Sequence, residues 1–81
     1  MTLYTPVWTE VPRSQYDALT PSARASFDAK FEQVLSDPKG VGRYDQLADQ
    51  WSTDFANGTG FVVYIINDDT VRVVVLRVYA L

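Results

Sequence analysis

The fold is decided by the stretch Phe61-Val62-Val63-Tyr64-Ile65-Ile66-Asn67-Asp68-Asp69-Thr70-Val71-Arg72-Val73-Val74-Val75-Leu76-Arg77-Val78. Its first six residues are apolar at every position, which is typical of a central β-strand covered on both sides. Asn67–Thr70 is made of residues that favour turns and predicts a tight turn. Val71–Leu81 follows as a second long strand, so the end of the chain is predicted to form a hairpin.

Two further segments extend the predicted sheet. Trp51–Ala56 alternates large and polar residues, which indicates a half-buried strand, and Asn57–Gly60 predicts the turn that joins it to the next strand. Leu3–Val11 is predicted to be a short opening strand. Its Pro6 lacks a backbone donor and therefore favours the edge of a sheet.

Helices are predicted between the opening strand and the later ones. Thr20-Pro21 is a helix start, because Thr is a good N-cap and Pro loses no hydrogen bond at the first helical position. Apolar residues then recur every three to four positions, at Ala23, Phe27, Phe31, Val34 and Leu35. Ser36-Asp37-Pro38 ends this helix, since Pro disfavours helical geometry in the preceding residue. Arg13–Leu19 is predicted to form a shorter helix before it.

Lys39–Gln50 is predicted to be a loop interrupted by two glycines, with a weak signal for one helical turn over Tyr44–Gln50. The resulting order is β-α-α-β-β-β. We therefore predict one α+β domain over residues 1–81, with two helices packed on one face of a mostly antiparallel sheet.

Composition limits the chemistry that the chain can perform. It has 81 residues, of which 47% are hydrophobic, and this balance indicates a globular domain. There is no Cys and no His, which excludes disulfides, thiolate or ordinary zinc sites, and Ser-His or Cys-His nucleophile pairs. We expect no metal and no cofactor. Seven basic residues against 10 acidic residues give a net charge of −3, whereas binding to nucleic acid mainly through phosphates favours a basic surplus.

The sequence also indicates a location. The apolar runs Phe61–Ile66 and Val73–Leu76 are far shorter than the roughly 20 residues that span a bilayer. Residues 1–11 contain no basic region followed by an apolar core, so no signal peptide is predicted. We expect a soluble, cytoplasmic protein without membrane contact.

Two local patterns resemble the RelE/ParE superfamily, the toxin components of type II toxin–antitoxin modules. The first is the break Leu19-Thr20-Pro21-Ser22 followed by a helix that ends in Ser36-Asp37-Pro38. The second is the terminal hairpin at 61–78, which is similar to that superfamily's ending: "V-I-Y", an acidic turn and "V-x-V-L-x-V". Together with the element order, the resemblance covers nearly the whole chain.

The resemblance implies a bacterial protein that stops growth until a cognate antitoxin neutralises it. RelE-like members cleave messenger RNA on the ribosome, and ParE-like members poison DNA gyrase without a nuclease site. In the RelE-like reaction a ribose 2′-hydroxyl attacks the adjacent phosphate, so the enzyme must stabilise charge and protonate a leaving oxygen. Arg, Lys and Tyr can do this without His. The expected partners are an antitoxin, the ribosome and mRNA, and an oligomer is possible.

Four residues are candidates for such a site: Arg77, Tyr79, Arg72 and Arg43. Alternation along the strand places Arg77 on one face with Val73, Val75 and Tyr79, and Arg72 on the other face with Val74, Leu76 and Val78. Arg77 could bind a phosphate with two hydrogen bonds, and Tyr79 could protonate the leaving oxygen. The alternatives are an Arg stem that lies on the core and a Tyr that caps the core with an exposed hydroxyl.

Arg43 lies beside Tyr44 in the predicted loop, where functional groups tend to collect. The pair could stack on a nucleotide, and the alternative is that both are simply solvated. Trp8, Trp51 and Tyr64 are predicted to belong to the core, and Asp68-Asp69 to the chemistry of the turn.

The chain also departs from active RelE-like members. They carry basic residues on the strands equivalent to Trp51–Ala56 and the next one, whereas this chain has Ser52 and Asp54 and no Lys or Arg between Arg43 and Arg72. They also continue into a basic tail, whereas this sequence ends in Val78-Tyr79-Ala80-Leu81. A second interpretation is therefore a non-catalytic protein on the same scaffold, either a toxin relative that has lost its RNA-cutting site or one that binds a protein target such as gyrase. A third is a domain stabilised by a partner strand along Val73–Leu81.

Overall fold

The computed structural model describes residues 3–81. Within these residues, three α-helices and five strands follow one another in the order β1-α1-α2-α3-β2-β3-β4-β5, and a short 3-10 helix, Ala56–Gly58, joins β3 to β4. The strands are β1 (Thr5–Val7), β2 (Arg43–Asp45), β3 (Gln50–Phe55), β4 (Gly60–Asn67) and β5 (Arg72–Ala80), and the helices are α1 (Glu10–Asp17), α2 (Pro21–Ser36) and α3 (Pro38–Val41). The predicted α+β class is confirmed, with α3 and β2 as additions to the predicted order.

The five strands form one sheet in the order β1-β5-β4-β3-β2. β1 pairs with β5 in parallel, and the other three pairs are antiparallel. β1 lies at an edge, as Pro6 predicts. The mostly antiparallel sheet is therefore confirmed, with its two longest strands, β4 and β5, side by side near the centre.

The helix α2 starts and ends where the sequence predicts. The hydroxyl oxygen of Thr20 accepts a hydrogen bond of 3.2 Å from the backbone N–H of Ala23, and Pro21 is the first helical residue. Asp37 closes the helix and begins the next one, because its carboxylate accepts a 3.1 Å bond from the N–H of Gly40 in α3. One Asp thus serves both the end of α2 and the start of α3.

Three local predictions are wrong. The opening strand is limited to Thr5–Val7, and α1 begins at Glu10 because Pro12 fits within the first turn of a helix, where its missing N–H has no partner to lose. The segment Lys39–Gln50 contains α3 and β2 rather than only a loop. Tyr44–Gln50 is not helical, because Arg43–Asp45 pairs with β3.

The core lies between the sheet and α2. Phe27, Phe31 and Val34 of α2 pack on side chains from β3, β4 and β5, namely Phe55, Val62, Tyr64, Val73, Val75 and Val78. Trp8 joins this cluster, with its ring centroid 5.9 Å from that of Phe27. All of these sheet residues are on the same face, so the helices cover one face only. The prediction that Phe61–Ile66 is covered on both sides is therefore wrong.

Tyr64 fixes the start of β2. It is fully buried, and its hydroxyl donates a 2.7 Å hydrogen bond to the carbonyl oxygen of Pro38. A side chain at position 42 would collide with this hydroxyl, so Gly42 is the residue that lets the backbone pass. The chain then enters β2 at Arg43, which is how a predicted core residue helps to position a candidate site residue.

Among residues 3–81, no helix combines the length and the apolar character needed to cross a bilayer.

Candidate functional site

A β-bulge in β5 decides which side chains share a face. Val63 pairs with Arg77 and Tyr64 pairs with Val75, so Leu76 is an extra residue in β5 with no partner in β4. Residues that are directly opposite in an antiparallel pair lie on the same face of the sheet. The bulge therefore changes the alternation of side chains between Val75 and Arg77.

Because of the bulge, the side chains of β5 are divided between the two faces differently from the prediction. Val73, Val75 and Val78 all point to the helices and are at most 1% exposed. Arg72, Arg77 and Tyr79 all lie on the opposite side. The prediction that Arg77 shares a face with Val73 and Val75 is wrong because strict alternation fails at a bulge. For the same reason Val78 does not share a face with Arg72, whereas Arg72 does lie opposite Val73 and Val75 as predicted.

We call the side without helices the open face. Its members are the side chains opposite the core, from four strands: Arg43 and Asp45 (β2), Gln50, Ser52 and Asp54 (β3), Phe61, Val63 and Ile65 (β4), and Arg72, Val74, Arg77 and Tyr79 (β5). All four predicted site residues are therefore on one face of the sheet.

Arg77 and Tyr79 form the centre of this face. The Tyr79 ring lies against the Phe61 ring with a centroid separation of 5.5 Å and an angle of 33° between the planes, and Tyr79 remains 46% exposed. A guanidinium nitrogen of Arg77 is 3.4 Å from the side-chain oxygen of Gln50, a long hydrogen bond across the sheet. One donor group and one hydroxyl group are thus held next to each other above β4.

Arg43 lies in the same row as Arg77. It is in β2 rather than in a loop, and it pairs with Ser52, which pairs with Val63, which pairs with Arg77. Three strand spacings separate the two backbones, about 14 Å. The structure therefore brings Arg43 to the same face but not into contact with Arg77.

Arg72 lies at the far end of β5. It pairs with Asn67 and is five residues before Arg77, which corresponds to about 15 Å along the strand. The four predicted residues are consequently not one tight cluster. They consist of a central pair, Arg77 and Tyr79, with a further guanidinium on each of two sides.

Among residues 3–81, no carboxylate forms an ion pair with any of the three arginines of the open face. The ion pairs within residues 3–81 are Arg13–Asp17 at 3.8 Å and Lys39–Asp68 at 2.9 Å, and neither involves the open face. A guanidinium without a carboxylate partner can bind two phosphate oxygens with parallel hydrogen bonds, and the one donor that Arg77 uses on Gln50 is in a long bond of 3.4 Å. Asp45 and Asp54 lower the net positive charge there.

Three residues of the open face were missed as candidates in the sequence. A depression of about 510 Å³ lies at the β2 side, and Ser52, Asp54 and Phe61 line it together with Arg43. The alternation of Trp51–Phe55 predicted that Ser52 and Asp54 would share a polar face. It could not reveal that this face is next to Arg43, because the pairing of β2 was not predicted.

No known family profile matches the sequence, and no curated protein matches it. Solved structures do match. A chain of the RelBE2 toxin–antitoxin complex from Mycobacterium tuberculosis is 28% identical, with a TM-score of 0.82 and coverage of 99% of this chain and 100% of that chain.

Two E. coli structures agree with this comparison. The isolated RelE toxin is 20% identical with a TM-score of 0.83, covering 95% of this chain and 83% of that one. A chain of the intact RelBE toxin–antitoxin complex is also 20% identical with a TM-score of 0.83, covering 96% of both chains. The chain therefore has the RelE-like toxin fold, and its resemblance to the RelE/ParE superfamily is confirmed.

Proposed function

We propose that this chain is the toxin component of a bacterial type II toxin–antitoxin module and that it inhibits translation by cleaving mRNA on the ribosome. The observation that carries the proposal is the β-bulge at Leu76. It puts Arg72, Arg77 and Tyr79 on the same exposed face as Arg43, where none of the arginines has an ion-pair partner within residues 3–81. A face of this kind suits a chain of phosphates better than it suits an apolar partner.

The reaction assigned to this face is an attack by the ribose 2′-oxygen on the adjacent phosphorus. A bond forms between these two atoms, the bond from phosphorus to the 5′-oxygen breaks, and the products are a cyclic phosphate and a 5′-hydroxyl. Arg77 would stabilise the extra negative charge on the phosphate oxygens. Tyr79 would give its hydroxyl proton to the leaving 5′-oxygen, and the 2′-hydroxyl proton would pass to water.

The outer arginines would have a different role. The backbones of Arg43 and Arg72 are each about 14 to 15 Å from that of Arg77, so these two arginines flank the central pair on two sides. We assign them to phosphates on either side of the cleaved one. Phosphate contacts of this kind position a nucleic acid without reading its sequence.

A cognate antitoxin is the expected protein partner. The matching structures include toxin–antitoxin complexes from M. tuberculosis and from E. coli. By analogy, this chain would be neutralised by an antitoxin that covers the open face or prevents RNA from reaching it. Action on ribosomes would place the protein in the cytoplasm, where we propose that residues 1–81 act as one domain.

A non-catalytic toxin that binds a protein target such as gyrase is the second candidate. It is favoured by the net charge of −3 and by the absence of Lys and Arg from β3 and β4. A protein without a basic surplus is not steered toward RNA by its overall charge. On this hypothesis growth arrest would not depend on Arg77 and Tyr79.

Expression without an antitoxin separates the candidates. We expect the wild-type chain to stop bacterial growth, and new 5′ ends to appear in ribosome-bound mRNA. Arg77→Ala should lower the cleavage rate by about 100-fold or more, as loss of a charge-stabilising donor does. Tyr79→Phe keeps the ring against Phe61 and should reduce cleavage by a similar factor, because only the transferable proton is lost.

The matched control is Arg13→Ala, which removes an exposed arginine on α1, away from the open face. It should leave cleavage unchanged. Normal growth at high soluble expression of the wild-type chain would refute the toxin proposal. Growth arrest without mRNA cleavage, retained by Arg77→Ala, would instead favour the non-catalytic candidate.

A further inference from the structure

The second half of β5 has a strand on one side only. Within residues 3–81, β4 pairs with β5 from Arg72 to Ala80, whereas β1 pairs with it only over Arg72–Val74. Beyond Val74 the other edge of β5 lies against the helix α1. The backbone groups at this edge therefore need hydrogen-bond partners that a neighbouring strand does not supply.

Gln15 of α1 supplies one such partner. Its side-chain oxygen accepts a 2.8 Å hydrogen bond from the backbone N–H of Val78, and this bond is partly buried. Val78 is 1% exposed, so water has little access to its N–H. An amide oxygen on a helix thus takes the place of the carbonyl oxygen that a further strand would offer.

This hydrogen bond reaches β5 between the two central residues of the candidate site. Val78 stands between Arg77 and Tyr79, two residues after Leu76, the extra residue of the bulge. Successive N–H groups of a strand point to opposite edges. The register that turns the N–H of Val78 toward α1 therefore turns those of Arg77 and Tyr79 toward β4.

The position of the bulge matters because it decides where Arg77 points. If the bulge lay at Val78, Arg77 would pair with Val62 and turn toward the core. The hydrogen bond from Val78 to Gln15 stabilises the observed register, because it requires this N–H to point away from β4. One side chain of α1 thus helps to select the arrangement of the open face.

The acceptor oxygen is carried by a helix that α2 holds in place. The hydroxyl of Tyr16 donates a 2.8 Å hydrogen bond to the carboxylate of Asp28 in α2. A guanidinium nitrogen of Arg24, also in α2, donates a 3.0 Å bond to the carbonyl oxygen of Asp17, the last residue of α1. Because Gln15 is next to Tyr16, these bonds fix the turn from which its side chain extends.

We propose that Gln15 is a positioning residue that holds Arg77 and Tyr79 on the open face. Its effect on catalysis rests on the proposed function, whereas its effect on the geometry of β5 does not. Misplacement of reacting groups by about 1 Å can lower a rate by about 100-fold. The loss is expected in the chemical step rather than in RNA binding, because Arg43 and Arg72 lie outside the segment that Gln15 holds.

Gln15→Met tests this role, because it keeps the length of the side chain and its helix propensity but removes the acceptor. In the purified chain, NMR should show exchange of the Val78 amide proton about two- to tenfold faster, the effect of one lost hydrogen bond. The kcat for cleavage of ribosome-bound mRNA should fall by about 10- to 100-fold. KM should stay nearly unchanged, since an interaction that orients the reacting groups is lost and the outer phosphate contacts are kept.

Two further variants separate position from stability. Gln15→Glu keeps an acceptor oxygen at the same place and should retain slow exchange at Val78 and the wild-type cleavage rate. Ser26→Ala is the matched control, because the hydroxyl of Ser26 on α2 accepts a partly buried 2.7 Å bond from the N–H of Ala56. It removes the same kind of bond outside β5. It should lower the free energy of unfolding in urea while leaving cleavage and Val78 exchange unchanged.

Four results would overturn the inference: a wild-type kcat in Gln15→Met, unchanged exchange at Val78, an equal loss of cleavage in Ser26→Ala, or a Gln15→Met chain that does not fold. The last would mean that the bond is needed for the fold itself. If the wild-type chain cleaves mRNA and Gln15→Met cleaves it equally fast, the inference fails and the proposed function stands. If the wild-type chain does not cleave mRNA, the proposed function fails. Faster exchange at Val78 and displaced NMR signals of Arg77 and Tyr79 in Gln15→Met would then still support the positioning role.

Discussion

The same strands form both faces of the sheet, but the side chains of one face are packed together and those of the other are separate and partly exposed. The face under the helices contains a connected aromatic and aliphatic cluster, in which Phe27 lies 5.3 Å from the ring of Phe55 and is 1% exposed. The open face has separate groups, with unpaired arginines and one exposed aromatic pair. The difference indicates that stability is concentrated on one side of the sheet and binding chemistry on the other.

β5 is the strand in which the two faces are coupled. Its valines at 73, 75 and 78 belong to the core, and Val74 and Arg77 between them belong to the open face. Because Leu76 is an extra residue, the three valines can face the helices while Arg77 and Tyr79 face the opposite side. Deletions and substitutions in β4 and β5 therefore test most directly whether stability and binding chemistry lie on opposite faces of the sheet.

The largest effect is expected from deleting one residue of β4, the regular strand opposite the bulge in β5. Deletion of Val63 in β4 should prevent folding, because every later side chain of that strand, including the fully buried Tyr64, would change face. Deletion of Leu76 should leave a folded protein, since it removes the unpaired residue and keeps Val75, Arg77 and Val78 on their present faces. Circular dichroism and thermal unfolding of both deletions test this. A folded Val63 deletion would contradict the assigned register.

The next effect compares one phenylalanine from each face. Phe27→Ala should lower the free energy of unfolding by about 3–5 kcal/mol, because it leaves a cavity in the core. Phe61→Ala on the open face should cost no more than about 1.5 kcal/mol, since its ring is only half-buried and has one aromatic neighbour. Urea unfolding of the two variants gives both values. Equal losses would show that the open face is part of the core.

A smaller effect, on the alkaline side of the pH scale, concerns Tyr64. Burial, with a further contribution from the charge of Asp37, raises the pKa of Tyr64 from 10.0 to about 12. The folded chain therefore holds this proton more tightly than the unfolded chain. That stabilisation is complete below pH 10 and is lost as the pH rises through about 12.

Tyr64→Phe removes this proton and the hydrogen bond to the Pro38 carbonyl. We expect it to lower the free energy of unfolding at neutral pH by about 0.5–1.5 kcal/mol, because the Pro38 carbonyl loses one hydrogen bond but keeps the 3.3 Å bond from the backbone N–H of Gly42. The variant should also lose the Tyr64 part of the decline in stability between pH 10 and 12, measured by urea unfolding at each pH. Tyr79→Phe on the open face is the control and should keep that decline.

The smallest effect concerns the turn that leads into β5. Val71 has a φ of +54°, a left-handed conformation that a β-branched residue adopts only at a cost. Val71→Gly should therefore raise the free energy of unfolding by about 0.5 kcal/mol after the entropic cost of glycine is subtracted. Val74→Gly, at an extended position within β5, should lower the free energy of unfolding. Destabilisation by both would mean that the side chain of Val71 contributes more than its backbone costs.

The elements of the fold differ in how well the sequence predicts them. The helix α2 could be predicted because its signals are local: a cap at Thr20, a proline at each end and an apolar repeat of three to four residues. β2 could not, since its three residues are all exposed and carry no apolar pattern. Such a short strand exists because β3 offers a free edge and because Gly42 lets the chain reach it.

The candidate site divides in the same way. The sequence identified Arg77, Tyr79, Arg72 and Arg43 as residue types suited to phosphate chemistry, and it predicted correctly that Arg77 and Tyr79 share a face. It wrongly placed Arg72 and Arg77 on opposite faces, and it left out Asp54 and Phe61, whose neighbours come from other strands.

What the sequence determined by itself is the set of elements with strong local signals: α2, the strands β3 to β5, the turns between them and hence the RelE-like fold. The tertiary structure alone decided the bulge in β5 and the rows of side chains across the sheet. The physical reason is that Val73-Val74-Val75-Leu76 is apolar at every position, so alternation cannot show where an extra residue lies. The register is selected by the packing of Val73, Val75 and Val78 against α2 and by the pairing of β5 with β4. In this register Arg72 and Arg77 both lie on the open face.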